Sequence, residues 1–483
     1  KAARACGALW SNGVCTLEAT TACGHAAAVP AELLDELTVC DTYEANSCTV
    51  VAAGAGVAAD FAISITALDT TLCSSGATIA YASTCQRDQN DRPILGHANF
   101  CPSQLSTAAS DWDEQRATAV HELLHALGFS SDSWALFRRD DGTPYTARDA
   151  NGDVVPTASY TCPGADGTVA DVRVPDAEVL VVSALNGVNV GWLATPRVTS
   201  VARDIFDCAT LVGAPLENQP TSTGACFGSH WEQRLFMHEL MASTTSHTAV
   251  YSSLTLAALE DSGWYRADYA YATALLWGRH RGCAFVNQPC VAGGTSADEH
   301  HFCDAAYNIS AGAGVGCTAD HKARGYCNLQ SYSSALPAPF QYFSDPTMGS
   351  SLATADYCPF HQSWASGACQ EPSNQPSRNF RLEVYGESAR CLETTLAQTV
   401  DGFNLMDPDA PATGCYNTSC SGDDQDLVLH VTVEHGTEGA THTVDCFQNA
   451  SAATTHPAPG GATGGVVCPA EPWRLCEFSY LAT

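Results

Sequence analysis

The 483-residue chain carries 21 Lys+Arg against 52 Asp+Glu, a formal net charge of −31. That excess excludes nucleic acid and anionic membrane surfaces as partners, because both demand a basic footprint. Charged residues are 15% and hydrophobic ones 45%, a mixture that folds, and 24 cysteines without a Cys-x-x-Cys pair predict up to twelve disulfide bridges formed outside the cytosol.

The chain begins at Lys1 with no basic-then-apolar leader, which predicts that a signal or pro-segment has been removed. No run of about 18 apolar residues is present to cross a membrane. Phe478 to Thr483 is too short for a lipid-anchor signal, so an anchor is expected only if processing or trimming removed it. The expected location is extracellular or at the cell surface. Asn308, Asn417 and Asn449 are glycan acceptors by motif.

Along the chain, Asp60 to Leu68 alternates like a strand and Thr78 to Thr84 reads similarly. No cysteine falls between Pro102 and Thr161, and this gap holds the best helix signal. Ser110-Asp-Trp-Asp113 offers an N-cap with first-turn acids, Ala119, Val120, Leu123, Leu124 and Leu127 recur at helical spacing, and Gly128 is the stop. Asp141-Gly142 and Asn151-Gly152 predict turns. Asp149 to Asp153 resembles the start of a calcium loop, but the sixth position is not Gly and Tyr160 stands at the twelfth, so an ordinary turn is predicted. Ala177 to Ser183 reads as a short strand and Ser252 to Asp261 as a helix before Gly263. From about Asp345 the chain is rich in Pro, Gly, Ser and Cys, with a strand candidate at Leu427 to Val433. The class is α+β.

Within the cysteine-free helix stands His121-Glu122-Leu-Leu-His125. At this chain's own His and Glu frequencies the pattern arises by chance roughly 0.02 times. Four residues turn a helix by about 400°, so the two imidazoles share one face and can grip one metal ion. Glu122 follows by about 100°, within reach of a water on that ion without being a ligand. Zinc takes neutral imidazoles, leaves a position open for water and lowers its pKa to about 7, and a carboxylate can then take the proton during attack on a carbonyl. This pattern points to peptide hydrolysis.

A catalytic zinc needs a third protein ligand. The compact metzincin pattern places a His six residues after the second one, but position 131 is Ser131. His230 lies in Phe227-Gly-Ser-His-Trp231 and Met241 follows eleven residues later, the His-then-Met order of a metzincin displaced by about a hundred residues. His238, close to Met241, is the alternative third ligand.

The sequence resembles the leishmanolysin family in His121-Glu-Leu-Leu-His-Ala-Leu-Gly-Phe129, Gly228-Ser-His230 and Glu239-Leu-Met241-Ala. Trp277-Gly-Arg-His-Arg-Gly-Cys-Ala-Phe285, Gln341-Tyr-Phe-Ser-Asp-Pro346, Asp356-Tyr-Cys-Pro359 and Tyr81-Ala-Ser-Thr-Cys85-Gln extend the match. The resemblance implies His121, His125 and His230 as Zn2+ ligands, Glu122 as general base and Met241 as the Met-turn. It implies a zinc endopeptidase with broad protein or peptide substrates, on a metzincin-like core interrupted between the second and third ligands. The regions expected are 1–129, ending in the active-site helix, 130–227 as insertion, 228–345 with the third ligand and Met-turn, and a disulfide-rich C-terminal domain at 346–483. Ala242-Ser243 stands where the family usually has Ala-Pro, which marks a divergent member. The competing expectation is a catalytically silent adhesion or binding protein on the same fold, which has no need to keep Glu122.

Three smaller expectations follow. His300-His301, after Asp298-Glu299, reads as solvated loop. Trp231 either lines the cleft or packs. Ile79 to Ser83 is placed above the helix, by metzincin analogy, as the strand on which substrate lies.

Overall fold

The computed structural model describes residues 3–24, 28–41, 47–76, 78–108, 111–162, 168–217, 227–244, 249–308, 313–397, 412–422, 426–435, 440–447, 455–457 and 464–476. The architecture is mixed α+β. Four short strands, β1 (Cys6–Leu9), β2 (Cys15–Glu18), β3 (Leu37–Cys40) and β4 (Cys48–Val51), form an N-terminal sheet in that spatial order. So small a sheet buries little, and Cys6–Cys15 and Cys40–Cys48 staple its hairpins. Cys23–Cys85 ties this region to the sheet that follows.

That sheet has the order β5 (Ala62–Thr66), β7 (Pro93–Phe100), β6 (Ala80–Arg87), with β5 parallel and β6 antiparallel to the central β7. β5 and β6 match the two expected strands. β7 escapes a pattern search because it is buried on both faces, Leu95, His97, Ala98 and Asn99 included, and so lacks the two-residue alternation.

Helix α1 (Trp112–Ala126) packs across β6 and β7. Ser110 lies outside the described residues, and the N-cap position is held by Asp111 without a side-chain capping bond. Gly128, at φ 109, ends the helix as expected. The apolar stripe is not the most buried face. Ala117, Thr118, His121, Glu122, His125 and Ala126 are buried, whereas Ala119 and Leu123 are exposed and Val120, Leu124 and Leu127 half-buried. The helix turns its polar face inward because that face meets the chain from Glu217 to Met241, described below.

Residues 130–227 add the antiparallel strands β8 (Leu180–Leu185), β9 (Val188–Leu193) and β10 (Ala214–Pro215) and helix α2 (Pro196–Phe206). The turns at Gly142 and Gly152 form as expected, both with positive φ. Helix α2 is not among the elements expected above, although Thr195-Pro196 opens it and Val198, Val201, Ala202 and Ile205 recur at helical spacing; it packs on α3 (Ser253–Asp261). The Asp261 carboxylate accepts the backbone N–H groups of Arg197 (2.8 Å) and Val198 (3.0 Å), satisfying donors that the start of α2 leaves orphaned. Ser252 caps α3 by accepting Leu254 N–H. One continuous core runs from Phe129 and Trp134 through Val198 and Phe206 to Trp231, Met241, Leu254, Trp277 and Cys358. The central region is therefore built into that core.

Two sheets cross position 345. Val315–Cys317 and Ala323–Cys327 pair onward with His361–Ala368, and Leu329–Ser331 pairs with Met348–Ser350. Cys290–Cys358 and Cys317–Cys391 cross it too. Beyond lies a six-stranded sheet in the order Ala440–Phe447, Val428–His435, Ala412–Ser421, Ala389–Thr394, Gly465–Val467, Thr455–Pro457, with a core of its own around Leu392, Tyr416, Leu429 and Val431. Eleven disulfides join described cysteines. Among the glycan acceptors, Asn308 is exposed, Asn417 is half-buried in a strand and Asn449 lies outside the described residues.

Candidate metal centre

Three imidazoles from distant parts of the chain converge. His125 Nε2 lies 3.0 Å from His121 Nε2 and 3.1 Å from His230 Nε2, and the third side of the triangle is 3.2 Å. Each ring is turned by its other nitrogen. Nδ1 of His121 meets the Leu240 carbonyl at 2.7 Å, Nδ1 of His125 meets the Phe129 carbonyl at 2.6 Å, and Nδ1 of His230 meets Glu217 Oε1 at 2.9 Å. Carbonyls and carboxylates only accept, so all three Nδ1 atoms donate and three bare Nε2 lone pairs point at one another. Such an arrangement is repulsive unless a cation sits among them. A triangle with sides of about 3.1 Å fits: nitrogens at about 2.0–2.1 Å from a tetrahedral zinc stand about 3.3 Å apart. Among the described residues this is the only group of three side chains able to hold a metal.

Electrostatics agree. Burial, reinforced by the neighbouring His230 imidazole, holds His121 down to about 3 despite the opposing bond to Leu240. Burial and the two other imidazoles hold His125 well below its ordinary value. Both rings stay neutral, as ligands must. Glu122 is buried beside them, and its Oε2 has no hydrogen-bond partner. Burial pushes its carboxyl up to about 7, with the neighbouring His230 opposing.

His230 reaches the site through contacts that span the central region. Ser131 N–H donates to Ser229 Oγ at 3.1 Å, the two hydroxyls pair at 3.1 Å, and Trp134 Nε1 donates to the Gly228 carbonyl at 3.0 Å. Position 131, which breaks the compact motif, thus clasps the residue preceding the displaced histidine. Glu217, which no local signal marks, accepts Ser229 N–H (3.1 Å) and the Ser243 hydroxyl (2.8 Å) besides His230. Burial raises its carboxyl, but His230 and these donors outweigh it and hold the group down to about 2.

Met241 is fully buried, its N–H held by Glu239 and its carbonyl accepting Trp231 N–H at 2.9 Å. Glu239 in turn accepts the hydroxyls of Ser252 and Thr255, both at 2.6 Å. Trp231 is also fully buried, edge-on to Phe129, with its indole N–H on Thr255: it packs. His238 takes no part in the triangle; its ring stands against Trp277 at 5.8 Å. The solvated-loop expectation for His300-His301 is corrected. His301 is buried, accepting Gly278 N–H at Nε2 (3.0 Å) and donating from Nδ1 to Asp298 (3.1 Å), while His300 faces His321 at 5.1 Å. The neighbouring acids suggest solvent, but the rings of Trp277 and Phe285, each 5.0 Å from His301, enclose it. Asp149 forms the ordinary exposed turn, accepting the N–H groups of Asn151 and Asp153.

Two buried imidazoles and a half-buried third on an α+β scaffold, beside a carboxylate whose Oε2 has no partner, make a donor set able to hold a metal ion. The leishmanolysin (peptidase M8) family model matches residues 35–473, and the chain belongs to that family. It is 36% identical to a leishmanolysin-like peptidase of Drosophila melanogaster over 83% of this chain and 63% of that protein. It is 33% identical to one of Caenorhabditis elegans over 77% and 60%, and 28% identical to a leishmanolysin homolog of Crithidia fasciculata over 85% and 54%. The chain thus spans about three-fifths of the length of the animal relatives, and at these identities it is a divergent member.

Proposed function

We propose that the chain is a zinc-dependent endopeptidase acting outside the cytosol, at the cell surface or secreted, on protein or peptide substrates. The observation that carries this reading is the triangle of bare Nε2 atoms of His121, His125 and His230 next to the partnerless Oε2 of Glu122. Zinc held there supplies Lewis acidity toward a carbonyl oxygen and toward water. Glu122 takes a proton from the attacking water at Oε2 and delivers it to the departing amine nitrogen. Met241, fixed through Glu239, forms the Met-turn of a metzincin-type core, and residues 130–227 are the insertion between the second and third ligands. Among the described strands β6 stands at the edge of its sheet, antiparallel to β7, which suits an extended peptide laid along it as a further strand. The disulfide count supports the extracytosolic assignment.

Glu122→Gln is the test. The variant keeps fold and stoichiometric zinc but loses casein-type hydrolysis by about 100-fold or more, as removal of a general base does. Full activity in this variant, or a folded wild-type chain without zinc, overturns the reading.

A further inference from the structure

The three histidines are not held alike. His121 and His125 come from one buried helix and donate to neutral backbone carbonyls, whereas His230 is the most exposed of the three, comes from a loop and donates to a carboxylate. A carboxylate partner both fixes the tautomer and raises the basicity of the ring. That service depends on the carboxylate holding one orientation. Glu217 Oε1 receives His230 Nδ1–H and Ser229 N–H, and Glu217 Oε2 receives the hydroxyl of Ser243 at 2.8 Å. Ser243 lies two residues after Met241, so this bond links the turn at Met241 to the loop that carries His230. Glu217 itself is anchored by its backbone N–H on the His230 carbonyl at 2.9 Å.

We infer that Ser243 and Glu217 act in series as positioning residues for His230: the Ser243 hydroxyl locks the Glu217 carboxylate, and the locked carboxylate sets the Nδ1–H tautomer and direction of the third metal ligand. The inference rests on the zinc reading above and deepens it, because it assigns part of the metal affinity to residues that touch neither metal nor substrate. Replacing Ser243 removes the hydroxyl that Oε2 accepts and frees the carboxylate to rotate away from Nδ1. The loss acts through Glu217, so it vanishes once Glu217 is gone.

The experiment is zinc competition against a chromophoric chelator, using the full chain as wild type, S243A, S243T, E217Q, E217A and the S243A/E217A double variant. Melting temperatures of the zinc-free proteins are recorded alongside. E217A weakens zinc about 10–100-fold and S243A about 2–10-fold. E217Q, which keeps an acceptor without the charge, falls between wild type and E217A. S243T, which keeps the hydroxyl, restores wild-type affinity, and S243A adds nothing in the E217A background. A merely structural role lowers the zinc-free melting temperature of S243A and leaves the zinc affinity of the folded chain unchanged, and that result overturns the inference. So does full additivity in the double variant. Wild-type protein that binds no zinc removes the functional reading itself, a result distinct from tight wild-type binding with an indifferent Ser243.

Discussion

Acidification from pH 7 to pH 5 is expected to destabilise the fold through His301, a group remote from the metal ligands in sequence. Its Nε2 must be a bare acceptor for Gly278 N–H, and its Nδ1 proton goes to Asp298. A second proton on the ring faces the Gly278 N–H and breaks that bond. Burial therefore holds the imidazole down to about 4, with Asp298 pulling the other way. Because this value lies below the ordinary 6.5, the unfolded chain takes up the proton first as the pH falls. The stability contributed by the neutral ring is complete above about pH 6.5 and is lost progressively down to about pH 4. Between pH 7 and pH 5 the loss from this one residue is about 2 kcal/mol, against a total stability of about 5–15 kcal/mol. His361, lowered by burial but less enclosed, adds in the same direction. The assay is urea unfolding of the zinc-saturated E122Q protein at the two pH values, compared with the same protein carrying His301→Gln. The comparison cancels any acid effect on the metal site. The His301→Gln protein should lose about 2 kcal/mol less on acidification. Equal losses in the two proteins would refute a neutral, buried His301.

Gly96→Ala should push α1 off its sheet, since a Cβ there lies 2.9 Å from Ala126 Cβ and 2.8 Å from the Phe61 ring; a cost of about 1–3 kcal/mol is expected in urea unfolding, with weaker zinc retention. Trp134→Phe removes the donor to the Gly228 carbonyl and should cost about 1–3 kcal/mol, read by thermal unfolding, while activity falls because the loop carrying His230 loosens. Removing Cys317 and Cys391 together should cost about 2–5 kcal/mol, with the C-terminal sheet becoming the first part open to protease.

Much of the site was legible from residues alone, for a local reason. His121, Glu122 and His125 lie within one helical turn and a half, so their mutual placement follows from helix geometry. The strands β5 and β6 and the helix α3 announce themselves by alternation or by a cap followed by an apolar run. Helix α2 carries its own signal too, Thr195-Pro196 followed by Val198, Val201, Ala202 and Ile205 at helical spacing, although it is not among the expected elements; strand β7, buried on both faces, has none. The same limit explains the error over His300-His301, whose burial is decided by Trp277 and Phe285, and it explains why the apolar stripe of α1 does not mark the most buried face of that helix.

The sequence by itself therefore determined the chemistry on offer: two imidazoles and a carboxylate on one helix, a third imidazole and a methionine downstream, and enough cysteines to brace the fold. What tertiary structure alone decided is how those groups are aimed. The ring of each histidine is turned by a partner on Nδ1, and two of the three partners, Leu240 and Glu217, are remote in sequence from the ring they turn or carry no motif. Orientation of an imidazole depends on which acceptor meets its second nitrogen. For His121 that acceptor is chosen by packing against a segment 119 residues further on, and for His230 by a side chain thirteen residues upstream that no motif marks.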